Sequence, residues 1–311
     1  MQCESCGFAA GPDDVFCESC GGRLAEGASR PDTELNRCPC GDTQRDASGY
    51  CLGCGRKSAV PTDVTFAEID ANLAWASDRG RVHLENQDAA GILRLADGTQ
   101  LLVVSDGVSS ADRAAEASQL AVQTVLDRAV SGIATPPAWI EATIDAAHQA
   151  LQAMTRENPA KDDPQATIVV AVVRAGEVWF GWLGDSRIYL LHAEGNRQLT
   201  LDDSWANEAI AAGLPREEAQ QEAYAHCITQ CLGMREAAPD IHLGHCSLPA
   251  GAILLLCSDG LWNYLPTPDN LAAAMQSGGA DEAALVRSRH LVDLANTAGG
   301  VDNISVALLQ G

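Results

Sequence analysis

Short apolar runs alternate with longer segments of helical periodicity from about residue 70 to the C-terminus. Runs of strand length, several of them rich in β-branched residues, predict strands over 73–77, 89–95, 100–105, 167–173, 177–183, 187–192, 252–257 and 304–309. Apolar residues at helical spacing predict helices over 112–130, 137–156, 268–276 and 280–296. Short strands that alternate with pairs of helices indicate an α+β fold with layered antiparallel sheets.

The connections between these elements carry further predictions. Asp97-Gly98 is typical of a hairpin turn, and Ser109-Ser110 is predicted to cap the first helix. The three strands between residues 167 and 192 follow one another closely, which predicts a meander. Residues 201–234 form a long polar insertion of the kind that makes a lid or flap.

Aspartates stand at the edges of several predicted strands. Three of them follow an apolar run directly or after a small residue, and two precede one: Asp106, Asp185, Asp259, Asp302 and Asp88. A carboxylate at the end of a buried strand is costly unless it is paired or bound to a metal ion. Carboxylates and backbone carbonyls are the ligands that Mg²⁺ and Mn²⁺ prefer. We therefore expect these residues to converge on hard divalent cations.

Eight of the twelve cysteines lie in the first 54 residues, as two repeated sets with metal-ligand spacing. The first set is Cys3, Cys6, Cys17 and Cys20, and the less regular second set is Cys38, Cys40, Cys51 and Cys54. Each set resembles a zinc ribbon, which predicts one or two structural Zn²⁺ ions. So short a segment folds only with metal. The ribbons either hold only themselves together or form a docking module for a partner protein.

The cysteine pattern and the Pro61 region divide the chain into a double zinc-ribbon module at 1–60, a linker at 61–70 and a large domain at 71–311. The formal charge of −22 argues against nucleic-acid binding through a basic surface, by the ribbons or by the large domain. No apolar run approaches the ~20 residues of a membrane helix, and the N-terminus lacks the features of a signal peptide. We expect a cytoplasmic protein without membrane contact.

Five motifs of the large domain, in this order, resemble those of the metal-dependent PP2C (PPM) protein phosphatases. They are Asn86-Gln87-Asp88, Asp106-Gly107, Gly184-Asp185-Ser186-Arg187, Cys257-Ser258-Asp259-Gly260-Leu261-Trp262 and Asp302-Asn303-Ile304-Ser305-Val306. The resemblance implies a four-layer αββα sandwich with a two-metal site at one end. It also implies hydrolysis of phosphoserine and phosphothreonine by a water molecule that Mn²⁺ or Mg²⁺ activates.

The resemblance also implies roles for individual residues. Asp106 would bridge both metal ions, and the Gly107 carbonyl would bind one of them. Asp259 and Asp302 would complete the coordination of the second metal ion, and Asp88 would contribute nearby, mainly through a bound water molecule. Asp185 would bind a looser third metal ion. A phosphoprotein would be the substrate, and a Ser/Thr protein kinase or a regulatory protein would be the partner of the ribbons.

Some positions depart from the family pattern. His83 stands where the family usually has an arginine that grips the substrate phosphate, and Arg81 or Arg79 is a candidate substitute. Val108 replaces a histidine of some members that is proposed as a general acid, and Asn263 replaces an aspartate that often supports the third metal ion. Two hypotheses follow: an active phosphatase, favoured by the intact aspartates, and a catalytically impaired phosphoprotein-binding scaffold, favoured by His83.

Overall fold

Two antiparallel sheets form the centre of the part of the chain that the computed structural model describes, residues 64–111, 113–157, 163–235, 238–276 and 282–311. The strands are β1 (Thr65–Asp70), β2 (Leu73–Asp78), β3 (Asp88–Arg94), β4 (Gln100–Asp106), β5 (Ile168–Arg174), β6 (Glu177–Leu183), β7 (Arg187–Leu191), β8 (Arg197–Gln198), β9 (His242–Ser247), β10 (Ile253–Cys257) and β11 (Ile304–Gln310). The helices are α1 (Ala114–Val130), α2 (Pro136–Glu157), α3 (Trp205–Ala211), α4 (Arg216–Gln221), α5 (Asp259–Trp262), α6 (Pro268–Gln276) and α7 (Ala284–Ala298).

The sheets and helices form four layers, with a hydrophobic core between each pair of adjacent layers. The six-stranded sheet has the order β1-β2-β11-β10-β7-β8, and the five-stranded sheet has the order β3-β4-β5-β6-β9. One core fills the space between the two sheets. A second packs α1 and α2 on the five-stranded sheet, and a third packs α6 and α7 on the six-stranded sheet. The predicted α+β fold with antiparallel sheets and flanking helices is confirmed.

Strand β4 shows why these central strands have continuous apolar sequences. Leu101 and Val103 face the helices α1 and α2, whereas Leu102 and Val104 face the other sheet. Side chains of a strand point alternately to its two faces, so burial of both faces requires apolar residues at successive positions. The carboxyl end of β4, where the strand leaves this core, is Asp106.

The structure corrects the predicted connections at two places. Strands β5 and β6 pair as predicted, but β7 crosses to the other sheet and pairs with β10. Gly184, with φ of 101°, lies in the turn that allows this crossing. The first helix begins at Ala114, and its N-cap residue is the left-handed Arg113, which forms no side-chain cap, so the predicted caps Ser109 and Ser110 are wrong.

The N-terminal boundary of the large domain also differs from the prediction. Residues Thr65–Asp70, placed in the predicted linker 61–70, form β1 and pair with β2. This strand lies at the sheet edge and is exposed at nearly every position, so its sequence lacks the alternation that identifies a half-buried strand. The predicted zinc ribbons of residues 1–60 lie outside the described residues. Of the described helices, none is long and apolar enough to cross a membrane.

Candidate active site

All five predicted aspartates lie at one end of the sandwich because neighbouring strands run antiparallel. The end of one strand then lies beside the start of the next. Asp88 begins β3 and stands directly opposite Asp106, which ends β4. Asp259 follows β10 and Asp302 precedes β11, and these two strands are also neighbours. The structure therefore brings together residues as far apart in the sequence as Asp88 and Asp302.

The glycines beside the aspartates allow close approach of backbone segments at this edge. A Cβ atom on Gly107 would lie 2.3 Å from the carbonyl oxygen of Ala114, and one on Gly260 would lie 2.0 Å from that of Asn303. Any larger residue would push the neighbouring segment away. The Asp-Gly pairs thus reflect packing of the backbone around the acidic end of the sandwich.

Buried hydroxyl groups hold Asp88 in position from the opposite sheet. The Ser258 hydroxyl donates to Asp88 Oδ2 at 2.7 Å and accepts the Ser305 backbone N–H at 2.9 Å. The Ser305 hydroxyl in turn donates to Ser77 Oγ at 2.7 Å. These serines are at most 2% exposed. Sequence reasoning missed their role, although Ser258 and Ser305 lie within the motifs that identified Asp259 and Asp302.

The buried carboxyl groups are only partly satisfied by hydrogen bonds. Among the described residues, one oxygen each of Asp88, Asp185 and Asp259 is buried without a hydrogen-bond partner. The Asp106 carboxyl is within hydrogen-bonding reach of both Asp88 and Asp259. Unpartnered buried oxygens carry a free-energy cost, which a bound cation would remove.

Burial and mutual repulsion make these carboxyl groups difficult to ionise. Burial is the main cause that raises the pKa of Asp106 and Asp259 well above the usual value, and the neighbouring carboxylates add to it. Burial likewise raises the pKa of Asp88 from 3.8 to about 7, against the hydrogen bond from Ser258. The pKa of Asp185 is raised to about 7, chiefly by burial and then by Asp202. Such a cluster binds either protons or cations.

The donor set fits hard divalent cations. The carboxylates at five strand ends, three of which have an unpartnered oxygen, are the ligands that Mg²⁺ and Mn²⁺ select. Among the described residues, no three histidine, cysteine, aspartate or glutamate side chains are already arranged to hold a metal ion.

His83 and Arg81, the residues predicted to contact the substrate phosphate, lie on the loop between β2 and β3. His83 Nε2 lies 3.3 Å from Asp302 Oδ1, and both side chains are about one-fifth exposed. Arg81 is half exposed, and its guanidinium lies 3.5 Å from Asp78 Oδ1. His83 is thus part of the acidic site, whereas Arg81 is paired beside it.

Asn303 is the residue that fixes this loop. Its side-chain amide donates to the carbonyl oxygens of Arg79 at 2.7 Å and Glu85 at 3.1 Å, and its Oδ1 accepts the Gln87 N–H at 2.8 Å. Asn303 is 2% exposed. The motif Asp302-Asn303 therefore places an aspartate at the site and holds the loop that carries His83.

Asp185 lies in the turn between β6 and β7, which Arg187 and Trp262 support. Arg187 forms two hydrogen bonds with Asp202, at 2.9 and 2.7 Å, and stacks 3.6 Å over the Trp262 ring. Trp262 Nε1 donates to the Asp185 carbonyl oxygen at 3.0 Å. Asn263, at the position noted as a departure, donates to Asp259 Oδ2 at 3.2 Å. These contacts make Arg187 a structural residue that holds the start of the polar insertion against Trp262.

The polar insertion at 201–234 includes Asp202, the partner of Arg187. It contains α3 and α4, and Ser204 caps α3 by accepting the Asn207 N–H. Asp203 accepts the Gly184 N–H at 2.8 Å and lies 2.8 Å from His242 Nε2. The start of the insertion is therefore fixed to the turn that carries Asp185.

Comparison with known proteins identifies the family. A family model described as protein phosphatase 2C matches residues 79–292, more than half of the chain. The serine/threonine phosphatase stp of Listeria monocytogenes is 28% identical over 242 residues, covering 76% of this chain and 94% of that relative. Protein phosphatase PhpP of Streptococcus pneumoniae is 29% identical over 244 residues, covering 76% of this chain and 96% of that relative.

Solved structures agree with these relatives. The Streptococcus agalactiae serine/threonine phosphatase superposes with a TM-score of 0.66 at 26% identity, over 79% of this chain and 99% of that one. The catalytic domain of the phosphatase PstP, in complex with two manganese ions, superposes with a TM-score of 0.61 at 25% identity, over 79% of this chain and 97% of that one. This chain belongs to the protein phosphatase 2C family and is a serine/threonine phosphatase.

Proposed function

We propose that this phosphatase hydrolyses phosphoserine and phosphothreonine in proteins with two divalent cations, Mn²⁺ or Mg²⁺, at the acidic end of the sandwich. The observation that carries the proposal is the cluster of buried carboxylates with unpartnered oxygens. Bound divalent cations supply an activated water and neutralise the charge of the phosphate group. The manganese ions of the related PstP structure are consistent with this choice of metal.

The proposed ligands follow from the positions of the carboxylates. Asp106 lies within reach of both Asp88 and Asp259 and is the candidate to bridge two cations. The Gly107 carbonyl, Asp259 and Asp302 would complete the two sites, with Asp88 nearby. Asp185 would hold a third cation, since it has an unpartnered oxygen of its own.

The substrate phosphate would lie at the exposed side of this cluster, against His83. The His83 imidazole is the nearest candidate donor because it already contacts Asp302. Arg81 would also bind the phosphate if its guanidinium left Asp78. Its contact with Asp78, at 3.5 Å, is long for a hydrogen bond and is therefore weak. Both residues would bind and orient the phosphate group rather than transfer protons.

The cysteine-rich start would add a binding function to the catalytic domain. We propose that the eight cysteines form two zinc ribbons that recruit a Ser/Thr protein kinase or a regulatory protein in the cytoplasm.

Zinc analysis of the purified full chain tests the metal content. We expect up to two Zn²⁺ per chain, one of which is lost in Cys3→Ser; a zinc-free folded protein would contradict the ribbons.

Hydrolysis assays test the two-metal site directly. With Mn²⁺ or Mg²⁺ we expect turnover of p-nitrophenyl phosphate and of a phosphothreonine peptide, and loss of both activities in EDTA. Asp259→Asn removes a ligand charge, and we expect kcat/KM to fall at least about 100-fold, in line with the loss of a main electrostatic contribution. The matched control is Asp293→Asn, an exposed aspartate of α7. Equal activity in both variants would overturn the assignment of Asp259.

The raised pKa values predict how pH affects the metal-free protein. The pKa of Asp88 is about 7 in the folded state but about 3.8 in the unfolded chain, so the folded state keeps its proton to higher pH. The free energy of unfolding without divalent cations should therefore fall as pH rises from 5.5 to 8, by about 2 kcal/mol for this group alone. Added Mn²⁺ should restore it at pH 8.

Tryptophan fluorescence during denaturant unfolding measures the stability of the large domain alone, because all six tryptophans lie between residues 75 and 262. In EDTA, Asp88→Asn should have a smaller loss of stability between pH 5.5 and 8 than the wild type. Asp293→Asn should behave like the wild type. Stability that stays constant or rises over this pH range would refute the interpretation of the carboxylate cluster.

Substitution of His83 tests its contact with the phosphate. Loss of one hydrogen bond to a charged group corresponds to about a tenfold change in affinity. We expect His83→Ala to raise KM for p-nitrophenyl phosphate by about that factor, and His83→Arg to keep or improve the wild-type value. His245→Ala, on the edge strand β9, serves as the control. An unchanged KM in His83→Ala would place the phosphate elsewhere.

A further inference from the structure

Leu84 is an exposed apolar residue beside the active site. Its side chain is 76% exposed, the highest value among the large hydrophobic residues of the described chain. It follows His83, which contacts Asp302 at 3.3 Å, and consecutive Cα atoms lie only about 3.8 Å apart. A polypeptide bound with its phosphate group at His83 would therefore pass within a residue or two of Leu84.

The backbone around Leu84 is rigidly held. The carbonyl oxygen of the following residue, Glu85, accepts a hydrogen bond from Asn303, which also binds the chain at Arg79 and Gln87. The Arg81 N–H donates to the Gly300 carbonyl oxygen at 2.6 Å. Leu84 is thus presented to solvent by a loop that is anchored on both sides, so little conformational entropy is lost when a ligand contacts it.

Leu84 lies on its loop between two charged residues, which would give an apolar contact at Leu84 a polar rim. Arg81 and Glu85 on the same loop are both exposed and carry opposite charges. An aliphatic side chain of the substrate is the ligand that best fits such a contact, since burial of apolar surface on both sides removes it from water. Single exposed apolar residues are normal on protein surfaces, so it is the neighbouring His83 and Asp302 that distinguish Leu84 from the others.

We propose that Leu84 is a specificity-determining residue that contacts an aliphatic side chain within two positions of the phosphorylated serine or threonine. This inference rests on the proposed function, because it requires the phosphate to lie near His83. It predicts that the enzyme prefers phosphopeptides with an apolar residue next to the phosphorylated residue. It also predicts that Leu84 has no effect on the turnover of p-nitrophenyl phosphate, which has no neighbouring residue.

Steady-state kinetics of the full chain with Mn²⁺ test the proposal. The substrates are phosphothreonine peptides that differ only by leucine or serine at each of the two positions on either side of the phosphothreonine. For the wild type we expect leucine at one position to lower KM about three- to tenfold, as partial burial of one aliphatic side chain implies. Leu84→Ser should abolish this difference, and Leu84→Met should retain it.

Two controls separate this effect from other causes. Val130→Ser changes a residue of 74% exposure at the end of α1 and should leave the peptide preference intact. Turnover of p-nitrophenyl phosphate should be the same in all four proteins, and its absence would refute the proposed function itself. The inference is overturned if Leu84→Ser keeps the preference, if the wild type has no preference, or if Leu84→Ser raises KM equally for every peptide.

Discussion

The crowding of buried carboxylates at one end of the sandwich is the constraint on which the rest of the structure depends. Asp88 and Asp106 stand opposite each other on adjacent strands, an arrangement that is unfavourable for two like charges. Burial adds to this cost and raises the pKa of both groups. A fold keeps such an arrangement only when something neutralises it, and the proposed divalent cations would supply both that neutralisation and the chemistry of phosphate hydrolysis.

The protein supports this unfavourable cluster with polar groups from both sheets. Ser258, directly after β10 of the six-stranded sheet, donates to Asp88 on the five-stranded sheet, and Ser305 on β11 donates its backbone N–H to Ser258, so the two layers are joined at the site as well as by the apolar core. The glycines Gly107 and Gly260 let backbone segments approach where side chains would interfere. Rigidity at this end of the sandwich is therefore built from hydrogen bonds and close backbone packing.

Asn303 links the acidic cluster to the surface that a substrate would meet. It lies next to Asp302 in the sequence, yet its side chain binds the loop that carries His83 and Leu84. Because one buried residue positions both residues, the proposed phosphate contact of His83 and the proposed apolar contact of Leu84 would share a common anchor. The Arg187–Asp202 pair has a corresponding role on the other side, where it joins the start of the polar insertion to the turn of Asp185.

The amino-acid sequence alone determined the layered antiparallel fold, the family and the five aspartates, because strand-length apolar runs and Asp-Gly endings are local features. Only the tertiary structure decided the register that sets Asp88 opposite Asp106, and that β7 leaves the meander for the other sheet. It also decided the roles of Ser258 and Asn303, and the edge strand β1, which has no alternating pattern. These features depend on contacts between distant segments, and no local pattern encodes them.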